Sequence, residues 1–202
     1  MDRRLLLFLM IFCATITGCA SLGERKPSAS MHPVSGHHQL SLTAASGKYS
    51  SWHESDIQVF LLLDSKLVIN KTFGAAEDAW RAATRVNLFG KGPSEARPSI
   101  SLLFDIDRET GRTTASVVDN DHVLAEFKEK AELGATVAVR IGLGDKPNTA
   151  RFQVGDEAFQ GPLPFSVVEI SISASGADAS WDPVMLYQFQ RDSKFRTDST
   201  AP

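Results

Sequence analysis

The chain has 202 residues, with 21 Lys+Arg against 24 Asp+Glu, a formal net charge of −3 and 43% hydrophobic residues. This length favours one domain, and this composition is typical of a folded protein and not of a disordered one. The lack of a basic excess argues against a nucleic-acid partner, and two cysteines are too few for a disulfide-based scaffold.

The first residues have the layout of a secretory signal peptide. Arg3 and Arg4 form a short basic start, an apolar run occupies 5–14, and smaller residues follow at 15–19. That order of basic, apolar and small residues is typical of an export signal. The apolar run is shorter than the about 20 residues that a membrane-spanning helix needs. We therefore expect residues 1–18 to direct export and then to be removed.

The end of this segment reads Ile16-Thr17-Gly18-Cys19 and resembles the lipobox of bacterial lipoproteins. The resemblance implies cleavage between Gly18 and Cys19, with a diacylglycerol attached to the thiol of Cys19. Two or more acyl chains anchor a protein stably to a membrane, whereas a single chain does not. Ala20 differs from the aspartate that retains enterobacterial lipoproteins in the inner membrane, so the resemblance implies the outer membrane.

The sequence after the signal divides into three parts. Residues 19–38 are rich in Ser, Gly, Pro and charged residues, which predicts a lipidated flexible tether. A folded domain is expected at 39–190, and a polar tail at 191–202. Because Cys13 would leave with the signal and lipid would occupy Cys19, the mature chain would have no thiol for a disulfide, a metal or catalysis.

Apolar and polar residues alternate through most of the domain, which predicts about ten short strands joined by turns rich in Gly, Asp and Asn. The predicted strands are 39–43, 57–63, 66–73, 99–107, 112–118, 122–128, 136–143, 149–154, 158–160, 167–174 and 184–190. Asp64-Ser65 is expected to form a tight turn between the second and third of them. The pattern favours an all-β fold, an antiparallel β-sandwich or barrel, over a parallel sheet, and we expect the sandwich.

One segment departs from the strand pattern. Residues 75–84 are rich in alanine and have good helix propensity, so a short helix is expected there. The alternative is a strand over 78–88.

The arrangement of predicted strands and turns at 136–154, 155–161 and 166–189 resembles concanavalin-like or laminin-G-like jelly rolls. The resemblance concerns the order of strands and turns and includes no family-specific motif. It implies a small curved sheet closed by a late strand, so the expected sandwich is jelly-roll-like.

Three acidic residues provide the best candidate metal site. Asp105, Asp107 and Glu109 offer oxygen ligands at alternate positions, as a hard cation such as Ca²⁺ requires. An EF-hand loop, however, would need a glycine where this chain has Thr110. A hairpin with Gly111 in its turn and the acids facing water is the favoured interpretation, and no bound cofactor is expected beyond the lipid on Cys19.

The same carboxylates could instead flank a glycosidic bond, as in a jelly-roll glycan hydrolase. The acidic strand motif of jelly-roll glucanases is absent, and the chain has no nucleophile elbow or P-loop. No catalytic residue is therefore assigned.

Tryptophan rings could stack on sugars, because they combine a broad apolar face with a polar edge. The candidates are Trp52, Trp80 and Trp181. Core or edge packing is the favoured interpretation of each. Trp181 stands beside Asp182 and a proline in an irregular polar segment, so it is expected to be the most exposed of the three, and this pair is the first choice for a ligand contact.

Taken together, these features predict a lipid-anchored lipoprotein of the bacterial cell envelope. Its β-sandwich is expected to be a non-enzymatic binding or structural module, with a glycan or an envelope protein as its partner and the membrane contacted through lipid. The alternative is the glycan hydrolase that uses acids on a concave sheet.

Overall fold

The computed structural model of the protein describes residues 31–75, 80–93, 96–120 and 122–191. In these residues the chain forms twelve β-strands: β1 Met31–Thr43, β2 Tyr49–Ser55, β3 Val59–Thr72, β4 Ala82–Phe89, β5 Ser99–Ile106, β6 Arg112–Asp119, β7 His122–Glu132, β8 Thr136–Leu143, β9 Thr149–Val154, β10 Glu157–Pro162, β11 Glu169–Ser175 and β12 Ala177–Arg191. No helix in this part of the chain is long and apolar enough to cross a membrane.

The strands form two six-stranded sheets. The first has the order β1-β12-β3-β8-β9-β10 and the second the order β2-β11-β4-β5-β6-β7. Every strand pair is antiparallel. The two sheets pack as a sandwich, so the predicted all-β antiparallel β-sandwich is confirmed.

The core lies between the sheets and follows the period of two that the sequence shows. In β5, Ile100, Leu102 and Phe104 are buried while the residues between them are partly exposed. In β8, Val137 and Ile141 are buried in the same way. Each fully buried side chain of this size stabilises the fold by about 1.5–3 kcal/mol. One continuous apolar cluster joins both sheets.

The turn predicted at Asp64-Ser65 is wrong, because both residues lie within the continuous strand β3. Strand β3 pairs with β12 on one side and β8 on the other, so the backbone at this point is held by both neighbours. Asp64 points outward and accepts a hydrogen bond of 2.7 Å from Nη2 of Arg140 on β8. The sequence Asp64-Ser65 indicates a turn when it is considered alone, but here the carboxylate of Asp64 faces outward and has a cross-strand partner.

The N-terminal strand begins earlier than the sequence suggests. Residues 31–38, which were expected in the tether, belong to β1 and pair with β12. β1 is an edge strand, and its backbone pairing does not require the apolar side chains on which the strand prediction depended. Gly18, Cys19 and the tether before residue 31 lie outside the described residues, as does the tail after 191.

The helix predicted at 75–84 is also wrong where the structure describes it. Ala82 begins β4, in which Thr84, Val86 and Leu88 are buried at alternate positions. β4 lies between β11 and β5 in the second sheet, and this pairing outweighs the helix propensity of alanine. The alternative strand over 78–88 was closer to the structure, and residues 76–79 lie outside the described part.

Candidate functional site

A shallow groove of ≈ 320 Å³ lies on the outer face of the second sheet. It crosses the neighbouring strands β2, β11 and β4 and is bordered by Trp80, which precedes β4. Its lining combines two aromatic residues, four serines and three larger polar residues, together with one alanine: Tyr49, Trp80, Ser51, Ser171, Ser173, Ser175, His53, Arg85, Asn87 and Ala83.

Strand register brings these residues together, although they come from three distant parts of the sequence. Across β2, β11 and β4 the aligned rows are Tyr49, Ser175 and Ala83; Ser51, Ser173 and Arg85; and His53, Ser171 and Asn87. The intervening residues of β11 and β4 point into the core. Because side chains alternate between the faces of a strand, the residues that build the core also fix the groove on the opposite side.

Two exposed aromatic side chains border one end of the groove. Tyr49 is 73% exposed and Trp80 is 47% exposed. Tyr49 shares its row with Ser175 and Ala83, which both have short side chains. An aromatic face that remains in water offers apolar contact area to a ligand with C–H groups, such as a sugar ring.

The amide of Asn87 is held by two neighbours on the groove floor. Its Nδ2 donates to Ser171 Oγ at 2.9 Å, and its Oδ1 accepts from Ser101 Oγ at 2.7 Å. These bonds fix the orientation of the amide, and the side chains make a preformed polar surface. A preformed surface loses less conformational entropy on binding than a mobile one.

A second network fixes His53 at the far end of the groove. Its Nδ1 lies 3.1 Å from Glu169 Oε1 and its Nε2 lies 3.0 Å from Ser51 Oγ. Arg97 donates from Nη1 to the other oxygen of Glu169 at 2.8 Å. Partial burial raises the pKa of Glu169, but the hydrogen bonds from Arg97 and His53 outweigh it and hold the pKa below 4.5. Glu169 is therefore a charged support for His53.

Arg85 occupies the middle row of the groove and is exposed. Within residues 31–75, 80–93, 96–120 and 122–191, no carboxylate forms an ion pair with it. The arginines on either side differ, since Arg81 pairs with Asp105 and Arg97 with Glu169, both at 2.8 Å. In the described part of the chain, the guanidinium of Arg85 is thus the one arginine head group of the groove lining, and it has no carboxylate partner.

The predicted acidic residues do not line this groove: Asp105 lies in β5, opposite Ala83, and Asp107 and Glu109 lie in the turn between β5 and β6. Asp107 Oδ1 accepts the backbone N–H groups of Thr110 and Glu109, at 3.1 and 2.9 Å, and these bonds lower the pKa of Asp107. Gly111 has φ +66°, the left-handed conformation that the turn needs. The favoured interpretation of this segment as a hairpin is confirmed.

Asp105, Asp107 and Glu109 line one depression next to this turn. Asp105 already pairs with Arg81, and Asp107 caps the turn. Across the described residues, no group of three His, Cys, Asp or Glu side chains is placed to hold a metal ion. The depression beside Asp105, Asp107 and Glu109 has no tryptophan in its lining. Among the described residues, this depression places the three acids next to Arg81 and Arg108, without an aromatic side chain in the lining.

Contrary to expectation, Trp181 is not the most exposed of the three tryptophans, but follows the favoured interpretation of core packing. Its side chain is fully buried between the sheets, where its Nε1 donates to Thr84 Oγ1 at 3.2 Å. Its ring packs against that of Phe104 in a T-shaped arrangement, with the ring centroids 5.9 Å apart. The irregular sequence after Trp181 forms a bulge within β12, not an exposed loop. Asp182 is exposed and accepts a hydrogen bond from Gln39 Nε2 at 3.2 Å.

Most of the groove is not predicted by the sequence. Trp80 was among the tryptophan candidates, and the third, Trp52, is partly buried against His38 with ring centroids 4.9 Å apart. Tyr49 and Arg85 were not singled out. A usable signal was present in β11, where serine alternates with apolar residues from Glu169 to Ser175. That alternation indicates a small polar outer face, but the sequence does not reveal which strands lie beside it.

Comparison with solved structures finds folds similar to this β-sandwich. The alginate lyase from Alteromonas sp. 272 is 6% identical, with 76% of this chain and 88% of that chain covered and a TM-score of 0.53. The winged bean acidic lectin complexed with methyl-α-D-galactose is 9% identical, with 80% of this chain and 100% of that chain covered and a TM-score of 0.52. The β-fructofuranosidase from Schwanniomyces occidentalis complexed with fructosyl-erythritol is 9% identical, with 81% of this chain and 35% of that chain covered and a TM-score of 0.50. The chain thus spans about a third of the fructofuranosidase. No protein-family model and no curated protein matches the chain. At these identities the likeness shows the fold alone.

Proposed function

We propose that the protein is a non-enzymatic carbohydrate-binding module, held at the bacterial envelope by lipid on Cys19, and that the groove across β2, β11 and β4 is its binding site. The observation that carries the binding proposal is the juxtaposition of exposed Tyr49 and Trp80 with a preformed polar floor. Sugar rings need both an apolar surface for their C–H groups and fixed donors and acceptors for their hydroxyls.

Two features of the groove favour binding over catalysis. Its described lining contains no carboxylate, whereas glycoside hydrolysis requires a pair of them about 5–10 Å apart. Two of the three carboxylates predicted to serve that role, Asp105 and Asp107, are already held in the hairpin by Arg81 and by backbone N–H groups. The fold supports the same proposal, because a lectin with a bound galactoside is among the similar structures.

A panel of oligosaccharides, titrated into the purified full-length protein, tests the binding proposal. We expect at least one to bind, and the double variant Tyr49→Ala/Trp80→Ala to lose about tenfold or more in affinity, since each aromatic contact contributes about 0.5–1.5 kcal/mol. Leu143→Ala is the matched control, because Leu143 is 50% exposed but belongs to the other sheet. Binding that the double variant retains in full would contradict the proposed site.

The anchor has a separate test. Cells that express the full-length chain are fed a labelled fatty acid, and the label is expected on the wild-type protein and in the outer-membrane fraction. Cys19→Ser removes the acceptor thiol and is expected to lose the label. Labelling that persists in this variant would reject the anchor without affecting the proposed groove.

A further inference from the structure

We propose that the groove recognises a sugar that carries a carboxylate, and that Arg85 is the residue that binds this group. The inference rests on the proposed function, because it names the ligand class of the same groove. It follows from the charge of the groove and from the partners of its polar residues.

Arg85 provides the charged group to which a carboxylate would bind. Its guanidinium is exposed in the middle row, between Ser173 of β11 and Leu103 of β5. In the described chain no carboxylate neutralises it, whereas Arg81 and Arg97, outside the groove lining, each pair with a carboxylate at 2.8 Å. The groove therefore keeps a positive charge at its centre.

Several other polar groups of the groove already have hydrogen-bond partners within the protein. Asn87 is bonded through both its amide atoms, and both ring nitrogens of His53 have partners. Ser175 Oγ donates to the carbonyl oxygen of Arg81 at 3.3 Å. These groups shape the floor, while Arg85 has its donors available to a ligand.

A carboxylate fits the hydrogen-bonding geometry of a guanidinium. A guanidinium offers five N–H donors in a planar fork that matches the two oxygens of a carboxylate, and such charge-assisted pairs are stronger than neutral hydrogen bonds. Tyr49 and Trp80 would cover the apolar surface of the same or the adjoining ring. A neutral sugar would leave the charge of Arg85 uncompensated, and this gives the groove a preference for an acidic ligand.

The test compares the binding of three oligosaccharides of equal length to the full-length protein. The first is a uronic-acid oligosaccharide, the second is the same molecule with its carboxylates reduced to alcohols, and the third carries sulfate groups on otherwise neutral sugars. We expect the uronic-acid form to bind more tightly than the reduced form by a factor of about ten or more, as for a charge-assisted hydrogen bond. Arg85→Gln should lower the affinity for the acid to that of the reduced sugar, and Arg85→Lys should restore part of it, because lysine keeps the charge and loses the fork.

Arg151→Gln is the control, since Arg151 is an exposed arginine on β9 in the other sheet and should not alter the preference. Equal affinity for the acid and its reduced form, or a preference that survives Arg85→Gln, would overturn the inference and leave the proposed function standing. Equal or tighter binding of the sulfated sugar would overturn the assignment to carboxylate. A wild-type protein that binds no sugar would refute the proposed function, and the inference with it.

Discussion

The surroundings of Trp181 and the rim of the groove around Trp80 show how differently one residue type is used in this protein. Trp181 is fully buried, with its indole N–H bonded to Thr84 and its ring against Phe104. Trp80 and Tyr49 are among the most exposed large apolar side chains of the described chain. The first region joins the two sheets, and the second faces water on the outside of one of them.

The difference teaches that strand register decides the role of an aromatic residue here, and that local composition does not. Trp181 lies in a polar, irregular sequence and is nevertheless core, because β12 pairs on both sides and directs it inward. Tyr49 begins an edge strand with little apolar content and is exposed because its row lies on the outer face. Substitutions in the two regions should therefore separate stability from binding.

The largest expected effect is on stability, at Trp181. Trp181→Ala should lower the free energy of unfolding by about 3–5 kcal/mol, because it leaves a cavity and removes the partner of Thr84. Urea denaturation of the full-length protein measures this. Trp80→Ala is the control and should change the unfolding free energy by less than about 0.5 kcal/mol. Similar losses in both variants would remove the distinction between the regions.

The next effect is on binding, at Tyr49. Tyr49→Ala should weaken oligosaccharide binding by about three- to tenfold with little change in unfolding free energy, because an exposed ring contributes contact area to the ligand and almost none to the core. Tyr49→Phe keeps the ring and should stay close to the wild-type affinity. If Phe and Ala weaken binding equally, the hydroxyl and not the ring makes the contact.

A smaller effect concerns pH and Glu169. Its pKa is lower in the folded protein than its usual 4.5, so its contribution to stability is present above that value and is lost as the pH falls through the lowered pKa. Glu169→Gln should remove this part of the acid dependence and loosen His53 in the groove. Unfolding measured between pH 3 and 6, about the range over which carboxylates titrate, would show the difference. An unchanged acid profile in the variant would show that the network does not hold the carboxylate.

The smallest effect is expected at the hairpin between β5 and β6. Asp107→Asn keeps an oxygen that can accept the backbone N–H groups of Glu109 and Thr110, so it should change stability only slightly and leave sugar binding unaltered. Calorimetry with and without Ca²⁺ and with an oligosaccharide checks both points. A marked loss of sugar binding would move the functional site from the groove to the hairpin.

The sequence was sufficient to predict the fold class and many strands, and β8 and β9 match their predicted bounds. These strands alternate cleanly, with apolar residues such as Val139 and Phe152 buried. Prediction failed where pairing outweighs local signals, as at Asp64-Ser65 and in the alanine-rich start of β4. The groove was not predictable in the same way, because Tyr49, Arg85 and Ser173 meet only through the order of β2, β11 and β4.

The most direct test of the central claim is the mapping of amide chemical shifts by NMR, as the tightest-binding oligosaccharide of the panel is added to the full-length protein. Binding in the groove predicts that the largest changes fall at 49–53, 83–87 and 171–175, on the three strands that form it. Changes confined to the hairpin at 105–111 or to the outer face of the other sheet would contradict the account. So would the absence of any change at saturating sugar.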